Sequence, residues 1–136
     1  MMACLDTNFL IDQSRSGSEF GRRAAKKLTE LVSRGESIAT TRFSVAELYV
    51  GVQLAGDPGR ELESVRRIIS NLEILPFNDR SAWLFGEFTA RLRRMGRPAG
   101  DMDIMIAAST VAFNHILVTR NSSHFTGIPG LMMESY

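Results

Sequence analysis

Short apolar segments alternate along this chain with longer segments that have helical periodicity. The short segments are MACL, SIATT, LEILPF and ILVTR, at residues 2–5, 37–41, 72–77 and 116–120. Buried parallel strands have such nearly continuous apolar sequences, and strands that alternate with helices form parallel sheets covered on both faces. The pattern therefore predicts an α/β fold with a central, mostly parallel sheet of four strands, or five if a short strand forms near residues 131–134.

The helical segments have apolar residues at spacings of three and four, which marks a buried helix face. Beyond a short helix starting at Thr7 or Asn8, helices are predicted at residues 19–33, from about 44 to a break at 56–59, at 60–70, 80–95 and 101–113. Tyr49 is assigned to the core face of the third helix and Met95 to that of the fifth. Aromatic residues at helical spacing, such as Trp83, are also expected in the core.

The composition is that of one ordinary globular domain. A chain of 136 residues with 44% hydrophobic residues has material for a single core, so residues 1–136 are predicted to form one domain. No apolar run reaches the roughly 18 to 20 residues that a membrane-spanning helix needs. We therefore expect a soluble, cytoplasmic protein. The single cysteine, Cys4, excludes an internal disulfide and is expected to be buried.

Three acidic residues stand where the predicted elements change, and a fourth, Glu47, lies within a predicted helix. Asp6 follows the first strand, where it would cap a helix or bind a metal ion; position alone favours neither. Glu47, taken alone, has the pattern of a solvent-facing helical residue. Asp101 and Asp103 open a helix, and between them we expect one capping role and one metal role, with Asp103 the better metal ligand.

Carboxylates that converge at the carboxyl ends of strands repel one another unless a cation lies among them. Hard oxygen ligands without a His or Cys cluster indicate Mg²⁺ or Mn²⁺. Such ions support phosphodiester hydrolysis, because they lower the pKa of a water molecule and stabilise charge on the phosphoryl group. The residues leave open whether one ion or two is bound.

Four motifs resemble those of one family. LDTNFLID, SVAELYVGV, DIMIAAST and LVTRNSSHF, at residues 5–12, 44–52, 103–110 and 117–125, are similar to the PIN-domain ribonucleases and, among them, to the VapC toxins of bacterial toxin–antitoxin pairs. The resemblance implies a three-layer α/β/α sandwich and a Mg²⁺- or Mn²⁺-dependent endoribonuclease. It also implies a homodimer, or a hetero-oligomer with a VapB-like antitoxin that neutralises the toxin.

The resemblance also implies roles for individual residues. It assigns catalysis and metal binding to Asp6, Glu47 and Asp103, while the fourth acid of many PIN domains is replaced by Asn121. Since Asn brings no charge, Asp101 is a candidate supplementary ligand. Supporting polar roles fall to the neighbours of these positions, namely Thr7, Asn8 and Thr119 with Asn121.

Weaker signals concern RNA contacts and a rival function. Arg91, Arg94 and Arg97 are candidates for binding RNA phosphates, although cations are also favoured at the end of a helix for electrostatic reasons. His115 and His124 are expected in turn or surface roles, because neither has a second ligand at a metal-like spacing. The rival is a PIN-fold RNA- or protein-binding module with little catalysis, for which the neutral Asn121 is the best support.

Overall fold

The computed structural model describes residues 2–136, and over that range the chain forms a five-stranded sheet. The strands are β1 (Ala3–Leu5), β2 (Ile38–Thr41), β3 (Glu73–Leu75), β4 (Ile116–Val118) and β5 (Met132–Glu134). Their spatial order is β3-β2-β1-β4-β5, and each neighbouring pair is parallel. The predicted parallel sheet is confirmed, including its short fifth strand.

Helices connect the strands. Within the described residues they are α1 (Thr7–Gln13), α2 (Glu19–Ser33), α3 (Arg42–Leu54), α4 (Pro58–Ile69), α5 (Asp79–Arg94) and α6 (Asp101–Ala112), with one turn of 3₁₀ helix at Ser122–Phe125. None of the helices in residues 2–136 is long and apolar enough to cross a membrane.

Two helices begin earlier than the sequence suggests, and local capping explains both. α3 starts at Arg42 because the Thr41 side chain accepts a hydrogen bond from the backbone N–H of Ser44. α4 starts at Pro58, whose fixed φ suits the first helical position, and Asp57 caps it. The Pro was expected to lie in the break before the helix, so that boundary was wrong by two residues.

The sheet separates two apolar cores. On one side, Leu5 and Val118 pack with Phe9 and Leu10 of α1 and with buried residues of α2, α3 and α4. On the other side, Leu117 packs with α5, α6 and the 3₁₀ turn. The arrangement is the expected three-layer sandwich, and Cys4 is fully buried within it.

Several side chains depart from their expected environments. Tyr49 (41% exposed), Met95 (44%) and Trp83 (75%) were assigned to the core and lie at the surface, because each stands at the edge of its helix's apolar stripe or beyond it. His115 was expected in a turn or at the surface, but it is buried. Its Nδ1 lies 2.6 Å from the carbonyl oxygen of Phe113.

Candidate active site

The candidate site lies at the edge of the sheet where the parallel strands end. β1 delivers Asp6 to this edge, and its neighbour β4 delivers Thr119. The backbone N–H of Asp6 donates to the carbonyl oxygen of Val118 over 3.3 Å, which continues the pairing of the two strands by one residue. Ligands of α/β proteins usually bind outside the carboxyl ends of the strands, so this edge is where a site is expected.

A cleft of about 180 Å³ brings most of the predicted residues together. Six of them line it: Asp6, Thr7, Asn8, Glu47, Asp103 and Asn121. His124 also lines the cleft, and Ile11, Ile106 and Phe125 supply its apolar wall. Residues that are separated by up to 119 positions in the sequence therefore meet in one cavity.

Asp6 is both a helix cap and a member of the cleft. Its Oδ1 accepts a hydrogen bond from the backbone N–H of Phe9 over 2.8 Å, so the capping interpretation is confirmed. Only 4% of the residue is exposed. Burial raises the pKa of the Asp6 carboxyl above its usual value, and the charge of Asp103 acts in the same direction. Hydrogen bonds from the Thr119 hydroxyl and the Phe9 N–H, together with the Arg120 charge, oppose this rise.

Glu47 is held by hydroxyl groups. The Thr7 hydroxyl lies 2.6 Å from Glu47 Oε1 and 3.1 Å from the Ser44 hydroxyl. Ser44 in turn lies 3.3 Å from the hydroxyl of Thr41, the residue that caps α3. Because a carboxylate only accepts hydrogen bonds, the Thr7 hydroxyl donates to Glu47 and accepts from Ser44. This chain ties the Glu47 side chain to the starts of both α1 and α3.

Asp103 lies on the first turn of α6, where the partial positive charge of a helix N-terminus favours a carboxylate. Its Oδ2 is 3.5 Å from Nδ1 of His124. The expectation that either Asp101 or Asp103 caps α6 was wrong. Gly100 is the N-cap residue and no side chain caps this end, because both acids fall within the first helical turn. Asp101 is exposed and does not line the cleft.

The segment after β4 completes the cleft. Thr119 is buried, and its hydroxyl oxygen accepts the backbone N–H of Asn121 over 3.0 Å. Between them, Arg120 turns back and donates through Nε to Asp12 of α1 over 2.7 Å. Arg120 and Ser44 were not predicted as site residues, although both lie within the quoted motifs, because their roles are hydrogen bonds to Asp12 and Thr7 that only the fold shows. His124 was set aside for lack of a second His or Cys, although its position shortly after β4 indicates the same edge.

The predicted RNA-binding arginines do not gather at the cleft. Arg91 and Arg94 line neither this cleft nor the cavity beside it, whereas Arg97 lines that second cavity. The α5 helix ends at Arg94, so of these three arginines only Arg97, in the loop that follows, lies near Asp103.

The cleft suits a hydrated divalent cation. Within residues 2–136, no three His, Cys, Asp or Glu side chains are placed so that they could all hold one metal ion. Mg²⁺ usually keeps several waters and binds proteins through one or two carboxylates, so two acids and neutral oxygens suffice. A buried carboxylate whose pKa is raised partly by a second carboxylate is stabilised by a cation between them. Asp6 and Asp103 are the pair that fits.

Comparison with known proteins bears on the family and the fold. The model of the PIN-domain family matches residues 3–129. The chain belongs to the PIN-domain family. Within the family it is similar to the VapC ribonucleases: Ribonuclease VapC2 of Haemophilus influenzae is 30% identical over 132 residues, which cover 97% of this chain and 96% of that protein. The tRNA(fMet)-specific endonuclease VapC of Salmonella typhimurium is 34% identical over 94 residues, covering 69% of this chain and 71% of that one.

A solved structure extends the likeness over the whole PIN domain. VapBC2 from Rickettsia felis, bound to a DNA fragment from its promoter, contains a chain that matches with a TM-score of 0.89 and 28% sequence identity. The match covers 100% of this chain and 99% of that one. The resemblance seen in the four sequence motifs is thus confirmed at the level of the family and of the fold.

Proposed function

We propose that this PIN-domain protein is a Mg²⁺- or Mn²⁺-dependent endoribonuclease that acts as the toxin of a VapBC-type pair. The observation that carries the proposal is the meeting of Asp6, Asp103 and Glu47 in one cleft at the carboxyl edge of the sheet. A nearly buried Asp6 with a raised pKa is costly in an apoprotein. Binding of a cation at this site would offset the cost of burying the Asp6 carboxylate.

In the proposed mechanism, Asp6 and Asp103 hold the metal ion, and Glu47 either assists through water or acts as the base. When bound, the ion would lower the pKa of water and stabilise charge on the phosphoryl group. A Glu47 carboxylate oxygen accepts the proton of the attacking water, and the water oxygen bonds to phosphorus. The bond from phosphorus to the leaving ribose oxygen breaks, and that oxygen takes up a proton from solvent water. The Thr7 hydroxyl, which donates to Oε1, fixes the direction from which Glu47 acts.

Neutral side chains would orient this chemistry. Asn8 and Asn121 line the cleft and offer amide groups to metal-held water or to the phosphate, and Thr119 supports Asp6. Asp101, which is exposed and outside the cleft, is a weaker candidate for a supplementary ligand. Arg97, and less directly Arg91 and Arg94, would hold flanking phosphates of the RNA.

The physiological setting follows from the relatives. A VapB-like antitoxin would neutralise the toxin, whose cleavage of RNA would otherwise inhibit translation and growth in the cytoplasm. We expect a homodimer that binds the antitoxin as a hetero-oligomer. Since the Salmonella relative is named for its specificity toward tRNA(fMet), that tRNA is the first substrate to test.

The proposal is tested with Asp6→Asn and the matched control Asp57→Asn. Both residues are N-caps, of α1 and α4, and both accept a backbone N–H. Asn caps a helix about as well as Asp, so the two changes cost similar helix stability. With tRNA, single-stranded RNA and flapped DNA as substrates at saturating Mn²⁺, Asp6→Asn should slow RNA cleavage by at least about 100-fold, because changing even an outer-shell partner of a metal ligand costs about 10- to 100-fold.

The control should cut RNA at the parent's rate. Equal rates for the parent and Asp6→Asn would refute the proposed site. A parent that binds Mn²⁺ in calorimetric titration but cuts DNA in preference to RNA would refute the proposed substrate. A parent that neither binds Mn²⁺ in the millimolar range nor cuts RNA would instead be the inert binding module.

A further inference from the structure

A second cavity adjoins the catalytic cleft. It has a volume of about 460 Å³ and is larger than the cleft of about 180 Å³. Asp103 and His124 line both cavities, so the two cavities are adjacent and these side chains mark their junction. Asp6 and Glu47 line the cleft but not the larger cavity. The larger cavity therefore has no role in the proposed mechanism.

The walls of the second cavity combine three kinds of chemistry. Arg97 supplies a permanent positive charge, and Ser123 and Thr126 supply hydroxyl groups. Leu92, Pro98 and Ala99 supply an apolar surface. A nucleotide needs the same three partners: a cation for its phosphate, hydrogen-bonding groups for its ribose, and an apolar face for its base. The volume falls within the roughly 300–1,000 Å³ of typical ligand sites, whereas the cleft falls below that range.

The position of the cavity indicates which nucleotide it would hold. If the scissile phosphate lies among the carboxylates, the chain of a substrate must continue out of the cleft, and the cavity that shares Asp103 and His124 with the cleft is the adjoining space. The segment that forms the wall, Arg97 to Gly100, follows the basic end of α5. Asp103, at the junction, is the one acid among the residues that line this cavity, so the wall beyond the junction favours an anionic ligand.

We propose that this cavity is a nucleotide subsite, which binds the nucleotide adjoining the scissile phosphate of single-stranded RNA through Arg97 and the Ser123–Thr126 segment. The proposal rests on the proposed ribonuclease function and adds a location for substrate recognition. The subsite then selects RNA by contacts made outside the metal cleft, and its loss weakens substrate binding more than it slows the chemical step.

Two substitutions and two matched controls test the subsite. Arg97→Gln removes the cation, and Arg67→Gln makes the same change on the exposed face of α4, which lines a different cavity. Ser123→Phe fills the subsite, and Ser122→Phe makes the same change at the adjacent exposed residue, which lines neither cavity. Each full-length variant is assayed on a single-stranded RNA that the parent cuts, over a range of salt concentrations.

Arg97→Gln and Ser123→Phe should each raise KM about tenfold and change kcat less than about threefold. Arg97→Gln should also reduce the slope of log affinity against log salt by about 0.7, the value for one phosphate contact with a single strand. A merely structural role for Arg97 would leave that slope unchanged. The controls should match the parent in KM, kcat and slope.

The outcomes separate this proposal from the function on which it rests. A parent that cuts RNA, with KM unchanged in both Arg97→Gln and Ser123→Phe, overturns the subsite and leaves the ribonuclease intact. If both substitutions weaken binding of a VapB-like antitoxin but not the KM for RNA, the cavity is a protein site and the proposal is wrong. A parent that cuts no RNA overturns both proposals together.

Discussion

Replacing Tyr136 with Phe removes a single hydroxyl group from a buried hydrogen-bond network. The Tyr136 hydroxyl donates to Asp12 Oδ2 over 2.7 Å, and Arg120 Nε donates to the same oxygen over 2.7 Å. The Asp12 side chain is only 6% exposed, so water cannot replace a lost partner. Burial, and then the bond to Asp12, raise the pKa of Tyr136, which keeps the hydroxyl protonated at all ordinary pH values.

The magnitude follows from the type of bond. A hydrogen bond to a charged group contributes about 1.5–3 kcal/mol, and the Phe ring keeps the edge-to-face contact with Phe9, whose centroid lies 4.6 Å away. Arg120 continues to neutralise Asp12, so we expect the lower part of that range, about 1.5–2 kcal/mol. For a domain of this size that loss lowers Tm by about 5–8 °C.

The assay is urea unfolding followed by circular dichroism, with Tyr49→Phe as the matched control. Tyr49 is 41% exposed, and within residues 2–136 its hydroxyl group makes no hydrogen bond to another residue. The same chemical change at Tyr49 should therefore shift the free energy of unfolding by less than about 0.5 kcal/mol. Equal free energies of unfolding for Tyr136→Phe and the parent would refute the reasoning that this network is a net contributor to stability.

Three further predictions concern the cleft and the strand β5. Thr7→Val removes the donor that lies 2.6 Å from Glu47 Oε1 and should lower kcat about tenfold without raising KM, whereas Thr29→Val on the surface of α2 should leave kcat unchanged in the same RNA assay. Mn²⁺ at about 100 times its Kd should stabilise the parent by about 2.7 kcal/mol in thermal unfolding. We expect Asp6→Asn to lose this stabilisation. An undiminished stabilisation in Asp6→Asn would mean that the ion binds elsewhere. Hydrogen bonds from Arg34 and Lys27 lower the pKa of Glu134 to about 2 from the ordinary 4.5. The contribution of the Glu134 carboxylate to folding stability is therefore present above pH 4.5 and is lost as pH falls toward 2. Glu134→Gln should therefore flatten the decline of stability over that range in urea titrations, and an unchanged decline would contradict the assignment.

The elements of the fold were predictable where local and global signals agree. The buried strands β1 and β4 are continuous apolar runs, and the residue after each has a polar side chain, so both the strand and its end are visible in the sequence. The start of α4 was not predicted correctly, because a proline such as Pro58 is compatible with two structures. Proline interrupts a helix, but it is also favourable as the first residue of a helix. Trp83 was misplaced because periodicity identifies a helix but does not decide what covers each of its faces.

The acidic residues of the candidate site could be predicted from the sequence, but several of the residues that support them or lie beside them could not. Asp6 directly follows an apolar strand and Asp103 lies at the start of a predicted helix, and it is their combination with the family motifs that marks both as site residues. Ser44 has no such signature, since a serine near a helix start is commonplace, and only the fold shows its hydroxyl 3.1 Å from that of Thr7. His124 escaped for a different reason: it lines the cleft as a single residue, and spacing rules detect pairs.

The contact between Asp12 and Arg120 joins the two chain segments from which the cleft is built. Asp12 lies on α1, which begins directly after Asp6, while Arg120 lies between Thr119 and Asn121. The Arg120 guanidinium also stacks on the ring of Phe20, 3.9 Å from the centroid, so α2 supports the same arginine. A shift of α1 against the end of β4 would break this ion pair and leave the buried Asp12 carboxylate without its cationic partner. The network that the Tyr136 substitution probes therefore also holds Asp6 in register with the segment that completes the cleft, and its weakening should reach Mn²⁺ affinity as well as stability.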